Sequence, residues 1–334
     1  MKFLATLLLV VLVVAAAAFL IYAPVGPAQG TPDKSATFVD IAPGTGTHAI
    51  AAQLEHAGVI RNRYAFELLR LVKRGRLVAG EYRFNHPAPA TEVYARLNHG
   101  DVFYITITVP EGYNIFDIAQ AVAGAGIADR ESFLAAERTQ TSLISDLSPK
   151  AQSLEGFLFP DTYKFTRHST PLQILSTMVR RFRKISGQID LADSGRSVAE
   201  TVTLASLVEK EVAQNSERPL VAGVFVNRLA HNIPLATDPS IIYAALLNRR
   251  YRGTIYQSDL QAESPYNTYR HTGLPPGPIC NPGVAALKAA IAPEHTDYVY
   301  FVADAQGHSR FSSTLKEHDQ QVQQYRRALR SNSP

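Results

Sequence analysis

Two glutamates, Glu209 and Glu211, stand two positions apart in "TLASLVEKEVAQNSER" (203–218), a stretch with the apolar spacing of a helix. Burying a carboxylate is costly unless it is paired or put to use. On a wheel of about 100° per residue with Val202 at the origin, Leu207 falls at about 140°, Leu204 at about 200°, and Val208, Val212 and Ala205 between about 240° and 300°. Glu211 falls at about 180°, between Leu207 and Leu204, and Glu209 at about 340°, on the edge. Ser206, Lys210 and Thr203 share the arc from about 40° to 100°, which reads as the wet face. The spacing therefore puts Glu211 inside and Glu209 in an exposed or half-exposed salt bridge, with Glu217 at the start of the next helix. A carboxyl in an apolar setting keeps its proton near neutral pH and can deliver it to a leaving group. The same placement also suits a buried ion pair with Arg218 or Arg228, and the residues alone leave both readings open.

Glycoside cleavage usually needs a second carboxylate. Glu155, Asp161 and Asp238 are candidates, although Asp161 and Asp238 adjoin prolines and also suit turns or caps. The cluster "YNTY" (Tyr266, Asn267, Thr268, Tyr269) suits a sugar, because aromatic faces pack on a pyranose and amides and hydroxyls bond its edge. Ordinary loops use the same residues. Other chemistries find no footing: HExxH, GxSxG, a P-loop and GxGxxG after a strand are all missing from the sequence. His48, His56, His231, His271, His295, His308 and His318 lack ligand spacing, so no metal or cofactor is expected. The one cysteine, Cys280, excludes an intrachain disulfide and a four-cysteine zinc site. It lies in the loop "PPGPICNPG" and reads as structural.

Around these residues the chain falls into segments. Helices are expected over 198–214 and 219–232, followed by "PLATDPSIIYAAL" (234–246), "SPYNTYRHTGLPPGPICNPG" (264–283) and a strand "DYVYFVAD" (297–304). A loop as long as 264–283 is unusual in a compact domain unless it is functional. Upstream, "FVDIAPGTGTHAIAAQLEHAGVI" (38–60) and "TITVPEGYNIFDIAQAVAGAGIA" (106–128) share one design at an offset of 68. Ile41 matches Val109, Gly44 matches Gly112, and Gly58 matches Gly126. Each copy continues into a second helix, an aromatic strand after a glycine, and a third helix, which reads as a duplicated strand–helix–helix–strand unit. The domain reading is a first α+β unit at 37–104, a second at 105–190, and a catalytic mixed α/β domain at 197–325. The fold class expected is α+β.

At the N-terminus, residues 3–22 carry no charge. At about 1.5 Å per residue such a run covers a hydrocarbon core of roughly 30 Å. It exceeds the apolar region of about 7–15 residues in a cleavable signal, so residues 1–24 read as a retained anchor and 25–36, rich in Pro and Gly, as a linker. Lys2 precedes the run and no Lys or Arg follows until Lys34, which places the N-terminus in the cytoplasm and the bulk of the chain across the membrane. Net charge is +4, and the basic clusters "RRFRK" (180–184) and "NRRYR" (248–252) are short solvated patches rather than a nucleic-acid stripe.

Taken in order, the apolar N-terminal run, "EGFLFPDTY", "LASLVEKE", "SER", "VFVNRL", "TDPSIIYAAL", "YNTY", "GLPPGPI" and "NPG" resemble the endolytic murein transglycosylase, or YceG-like, family over nearly the whole chain. The resemblance implies cleavage of the MurNAc–GlcNAc bond inside peptidoglycan strands near the inner membrane. Its catalytic glutamate falls on Glu211, used first as acid and then as base to close a 1,6-anhydro ring without water. It also implies that Asn227, Asp238, Tyr266, Asn267 and Tyr269 line the glycan cleft. By the same resemblance the repeat units are LysM-like, and peptidoglycan synthases are expected partners. One departure stands out: many members carry Gln before the "[ST]DP" triplet, and here Ala236 occupies that position. Two alternatives remain beside this reading, a hydrolytic muramidase using Asp161 or Asp238 as base, and a non-enzymatic peptidoglycan-binding scaffold.

Overall fold

A computed structural model describes residues 2–22, 36–212, 214–304, 306 and 308–331. Most of the expected linker, 25–36, therefore lies outside the described residues. The architecture is α+β, with strands confined to three two-stranded sheets among the described residues. The chain divides into two compact units, Met1–Ile105 and Thr106–Pro334.

The first unit holds α1 (Lys2–Tyr22), β1 (Thr37–Ile41), α2 (Thr47–His56), α3 (Arg63–Lys73), β2 (Gly80–Phe84) and α4 (Ala90–His99). β1 and β2 pair antiparallel, from Thr37 opposite Phe84 to Ile41 opposite Gly80. Alternation along β1 sends Val39 and Ile41 inward, where Leu54, Phe66, Tyr82 and Leu97 complete the core. Asn62 caps α3 by accepting the Tyr64 and Ala65 amides. Among the described residues no helix is long and apolar enough to cross a membrane. The α1 backbone covers the stretch 3–22 expected as the anchor.

The second unit begins with β3 (Ile105–Thr108, counted here from Thr106), α5 (Ile115–Gly124), α6 (Arg130–Thr139), β4 (Thr162–Phe165) and α7 (Pro171–Gln188). This order, strand–helix–helix–strand–helix, is also that of β1 to α4, with both β1 to β3 and α2 to α5 offset by 68 residues (37 to 105, 47 to 115). It continues with α8 (Val198–Glu211), α9 (Arg218–Ala230), α10 (Asp238–Leu247), the single turn α11 (Gln257–Leu260), α12 (Val284–Ile291), the antiparallel hairpin β5 (Tyr300–Ala303) and β6 (Ser309–Ser312), and α13 (Leu315–Ser331).

α8 is the central helix of this unit, packed by α9, α10 and α12. Ser197 starts it with a capping box to Glu200. Every residue from Thr201 to Val208 is buried, so of the wet face expected at Thr203, Ser206 and Lys210 only Lys210 is exposed. The reason is chemical: both hydroxyls are satisfied locally. Thr203 donates to the Ala199 carbonyl and Ser206 to the Thr203 carbonyl, which lets a polar face go dry at little cost. Full burial of Val202, Leu204, Leu207 and Val208 contributes about 1.5–3 kcal/mol each.

Candidate active site

The loop 276–283 is what covers α8. The Ile279 amide donates to Ser206 Oγ at 3.1 Å, the Cys280 thiol to the Ser206 carbonyl at 3.3 Å, and the Gly283 amide to Glu209 Oε2 at 2.9 Å. Cys280 is buried and serves this docking, as its loop setting suggested. Asn281 then ties the loop to the rest of the unit. Its amide nitrogen donates to the Tyr113 carbonyl (3.0 Å) and to Glu155 Oε1 (2.9 Å), and its Oδ1 accepts the Leu158 amide (2.8 Å). Gly156 is needed beneath it: φ is +85°, and a Cβ there would meet the Pro278 ring and Val202.

Two of the three candidate second carboxylates are engaged elsewhere. Glu155 is 2% exposed, accepts the Ile115 amide and the Asn281 side chain, and is pushed up to about 8 by burial. Asp161 faces Arg181 at 2.6 Å and accepts the Thr162 amide, the bonding of a turn residue. Neither is among the charges acting on Glu211; Asp238 is.

At the C-terminal end of α8 the two glutamates diverge. Glu209 makes the salt bridge expected of it, but a closed one: its carboxylate takes both Arg218 guanidinium nitrogens at 2.9 and 2.7 Å, and each side chain is only 5% exposed. Burial raises its carboxyl, opposed by the Gly283 amide and by Arg218. Wheel position failed here because Arg218 and the 276–283 loop close over the helix edge. Glu217 stands at the start of α9, as expected, without a side-chain capping bond, and its carboxylate accepts the Ser309 hydroxyl.

Glu211 is the last residue of α8, which ends three residues sooner than the periodicity suggested. It is half-buried, and among the described residues its carboxylate takes part in no hydrogen bond or ion pair. Desolvation pushes it up to about 7, the negative charge of Asp238 adds to the rise, and the Arg228 guanidinium opposes it. Arg228 is not its ion-pair partner. That guanidinium donates to the carbonyls of Val299, Pro234 and Leu235 and lies 5.3 Å from the Tyr300 ring centroid. It is thus a fixed cation near Glu211, held to backbone carbonyls through Nε and one terminal nitrogen.

Of the other expected site residues, the structure gathers Asp238 and Tyr269. Asp238 is exposed at the first turn of α10, and the Tyr269 hydroxyl donates to it at 2.6 Å. Tyr269 is itself raised by burial and by that bond, and feels the charge of Glu211. The remaining three are engaged structurally. Asn267 is 1% exposed; its amide nitrogen donates to the Leu260 and Ala262 carbonyls and its oxygen accepts the Tyr269 amide, so it shapes the loop that presents Tyr269. Asn227 donates to the Thr296 and Tyr298 carbonyls, tethering the approach to β5. Tyr266 packs on Tyr243 with ring centroids 5.2 Å apart and is pushed up to about 12 by burial. Ala236 adopts φ +51°, and its amide donates to the Thr268 carbonyl.

Sequence reasoning named Arg228 only as a possible ion-pair partner of Glu211, and it missed Asn281 as the tie beneath the loop, to which only the "NPG" segment pointed. Among the described residues no group of acidic, histidine or cysteine side chains could hold a metal ion.

Comparison with known proteins identifies the family. The model of the YceG-like family matches residues 39–324. A Bacillus subtilis (strain 168) protein named endolytic murein transglycosylase is 33% identical over 310 residues, covering 87% of this chain and 85% of that protein. A Streptococcus pneumoniae (strain D39) protein of the same name is 30% identical over 87% of this chain, which spans 59% of the pneumococcal protein's length. The crystal structure of a yceG-like protein from Listeria monocytogenes aligns with a TM-score of 0.59 at 31% identity, covering 86% of this chain and 99% of that one. With the family model matched over most of its length, the chain belongs to the YceG-like family.

Proposed function

We propose that this chain is a lytic transglycosylase that cleaves glycan strands of peptidoglycan, with Glu211 as its acid and base. The observation that carries the reading is the state of Glu211: half-buried, without a hydrogen bond among the described residues, raised to about 7, and under the charge of Arg228. Relatives named endolytic murein transglycosylase support the substrate class.

Protonated Glu211 gives its proton to the glycosidic oxygen as the C1–O bond of MurNAc breaks. The carboxylate left behind takes the proton from the MurNAc C6 hydroxyl, whose oxygen bonds to C1 and closes the 1,6-anhydro ring. Glu211 ends protonated, and no water enters. A value of about 7 suits a group that must give and accept a proton in one cycle. The Arg228 guanidinium offsets the negative charge that Glu211 carries between the two transfers. Asp238 and Tyr269, joined by their hydrogen bond, form the polar wall for the sugar.

Membrane anchoring through residues 3–22 belongs to the same proposal, resting on the uncharged run and on Lys2 before it. The LysM-like role of the strand–helix–helix–strand–helix segments is also proposed, from their repeated order.

Because Asp238 is the carboxylate acting on Glu211, a hydrolytic route with Asp238 as base is the second reading. Product analysis of uncrosslinked strands separates the two. The lytic route leaves 1,6-anhydro-MurNAc ends inside former strands, whereas reducing MurNAc ends contradict it.

A further inference from the structure

α3 carries apolar side chains on more of its circumference than the core uses. Ala65, Phe66 and Leu69 are buried, whereas Tyr64, Leu68, Leu71 and Val72 are exposed by 59%, 42%, 70% and 72%. At about 100° per residue these four share a stripe roughly 100° wide, adjoining the buried face. A lone exposed leucine needs no explanation, but four large apolar groups aligned on one helix mark a surface that meets something apolar.

The end of the same helix is cationic. Arg70, Arg74 and Arg76, with Thr45, Thr47 and Gly75, line a cleft of about 300 Å³. Among the described residues these guanidinium groups have no hydrogen-bond or ion-pair partner, and the Arg70 Nε is buried without one. Lys73 adds a further positive charge at the last turn. An unpaired buried N–H of a cation is expensive, and an oxyanion in the cleft would satisfy it.

We propose that α3 docks on an anionic lipid surface. Its stripe enters the boundary between headgroups and acyl chains, and the Arg70–Arg74–Arg76 cleft takes lipid phosphates. An apolar stripe bordered on one side by arginines is the pattern of a helix lying in a membrane interface. Within the same unit, α1 packs against α3 and α4, and its own side chains from Leu7 to Val14 are exposed, so the stripe continues an existing apolar region. A protein partner would have to cover the leucines and also neutralise three unpaired arginines; a phospholipid layer does both. This inference does not depend on the reaction at Glu211.

The chain contains no tryptophan, so Leu71→Trp, at a position 70% exposed, supplies a single fluorophore. The full chain is reconstituted in vesicles of phosphatidylcholine alone and of phosphatidylcholine mixed with phosphatidylglycerol. With phosphatidylglycerol, the emission shifts to the blue and brominated acyl chains quench it. Replacing Arg70, Arg74 and Arg76 by Gln weakens docking about fivefold per charge, on the order of a hundredfold together. Water-like, unquenched emission in both vesicles overturns the proposal, as does equal quenching with and without phosphatidylglycerol. A blue shift that grows with protein concentration without quenching means that a second copy occupies the stripe, and also overturns it. Val72→Trp repeats the measurement so that a folding defect in one variant does not decide the outcome.

Discussion

Glu209 and Glu211 lie two residues apart on α8 and have opposite surroundings. Glu209 is closed in by Arg218 and the Gly283 amide, which both bond its carboxylate. Glu211, where the helix ends, is partly desolvated and has no hydrogen-bond partner among the described residues. The first arrangement holds the end of α8 in place; the second leaves a proton free to move. The helix terminates at Glu211, with Val212 in an extended conformation.

The desolvation of Glu211 weakens the fold at high pH. Its native value of about 7 lies above the ordinary glutamate value, so between pH ~4.5 and ~7 the unfolded chain has lost a proton that the native chain retains. Stability therefore falls as pH rises across that window, by at most about 3 kcal/mol, and the loss is complete above it. Glu211→Gln removes the dependence, and the variant unfolds at higher urea concentration than the parent at pH 8 but not at pH 4. A variant less stable than the parent at pH 8 would contradict the desolvated carboxyl.

Activity has its own pH limb. Glu211 must begin protonated, so cleavage declines as pH rises through about 7. The charge of Asp238 helps to hold Glu211 up, and Asp238→Asn moves the limb to lower pH, while Arg228→Met moves it higher. Initial rates of strand cleavage from pH 5 to 9 read both shifts. A limb that stays put in both variants would mean that another group titrates.

Glu209→Gln tests the division of labour. It leaves the Arg218 guanidinium in a site 5% exposed without its carboxylate, a loss of about 3–5 kcal/mol for a broken buried pair. Chemical denaturation measures the cost. The fraction that remains folded keeps the pH limb of the parent, which a catalytic Glu209 would not allow.

Gly156→Ala probes how the loop positions α8. The substitution places a side chain at φ +85° and against both Pro278 and Val202, costing about 2–4 kcal/mol. Because Pro278 belongs to the loop that bonds Ser206 and Glu209, cleavage falls together with thermal stability. A stable variant of full activity would show that the loop does not hold the helix.

Much of this was legible before the fold was known. The spacing of Leu204, Leu207 and Val208 marked α8, and the recurrence at offset 68 marked two stretches with the same element order. Glu211 stood out because a carboxylate between two leucines has to be explained. What spacing could not encode were contacts between distant segments. Ser206 and Thr203 look solvent-facing by residue type, yet a loop more than 70 positions later covers the helix and uses Ser206 as its docking point. The Glu155–Asn281 bond joins residues 126 positions apart, so Glu155 looked like a free acid when it is a buried tie. Asn267 suited a sugar by type, but its amide is consumed by its own loop.

The central claim is that Glu211 drives a cleavage without water. Its most direct test is mass spectrometry of the ends formed from uncrosslinked glycan strands in ¹⁸O-labelled water, with the parent chain, Glu211→Gln and Glu209→Gln compared. The account predicts unlabelled 1,6-anhydro-MurNAc ends from the parent and from folded Glu209→Gln, and none from Glu211→Gln. Labelled reducing ends from the parent, or anhydro ends formed at an undiminished rate by Glu211→Gln, would contradict it.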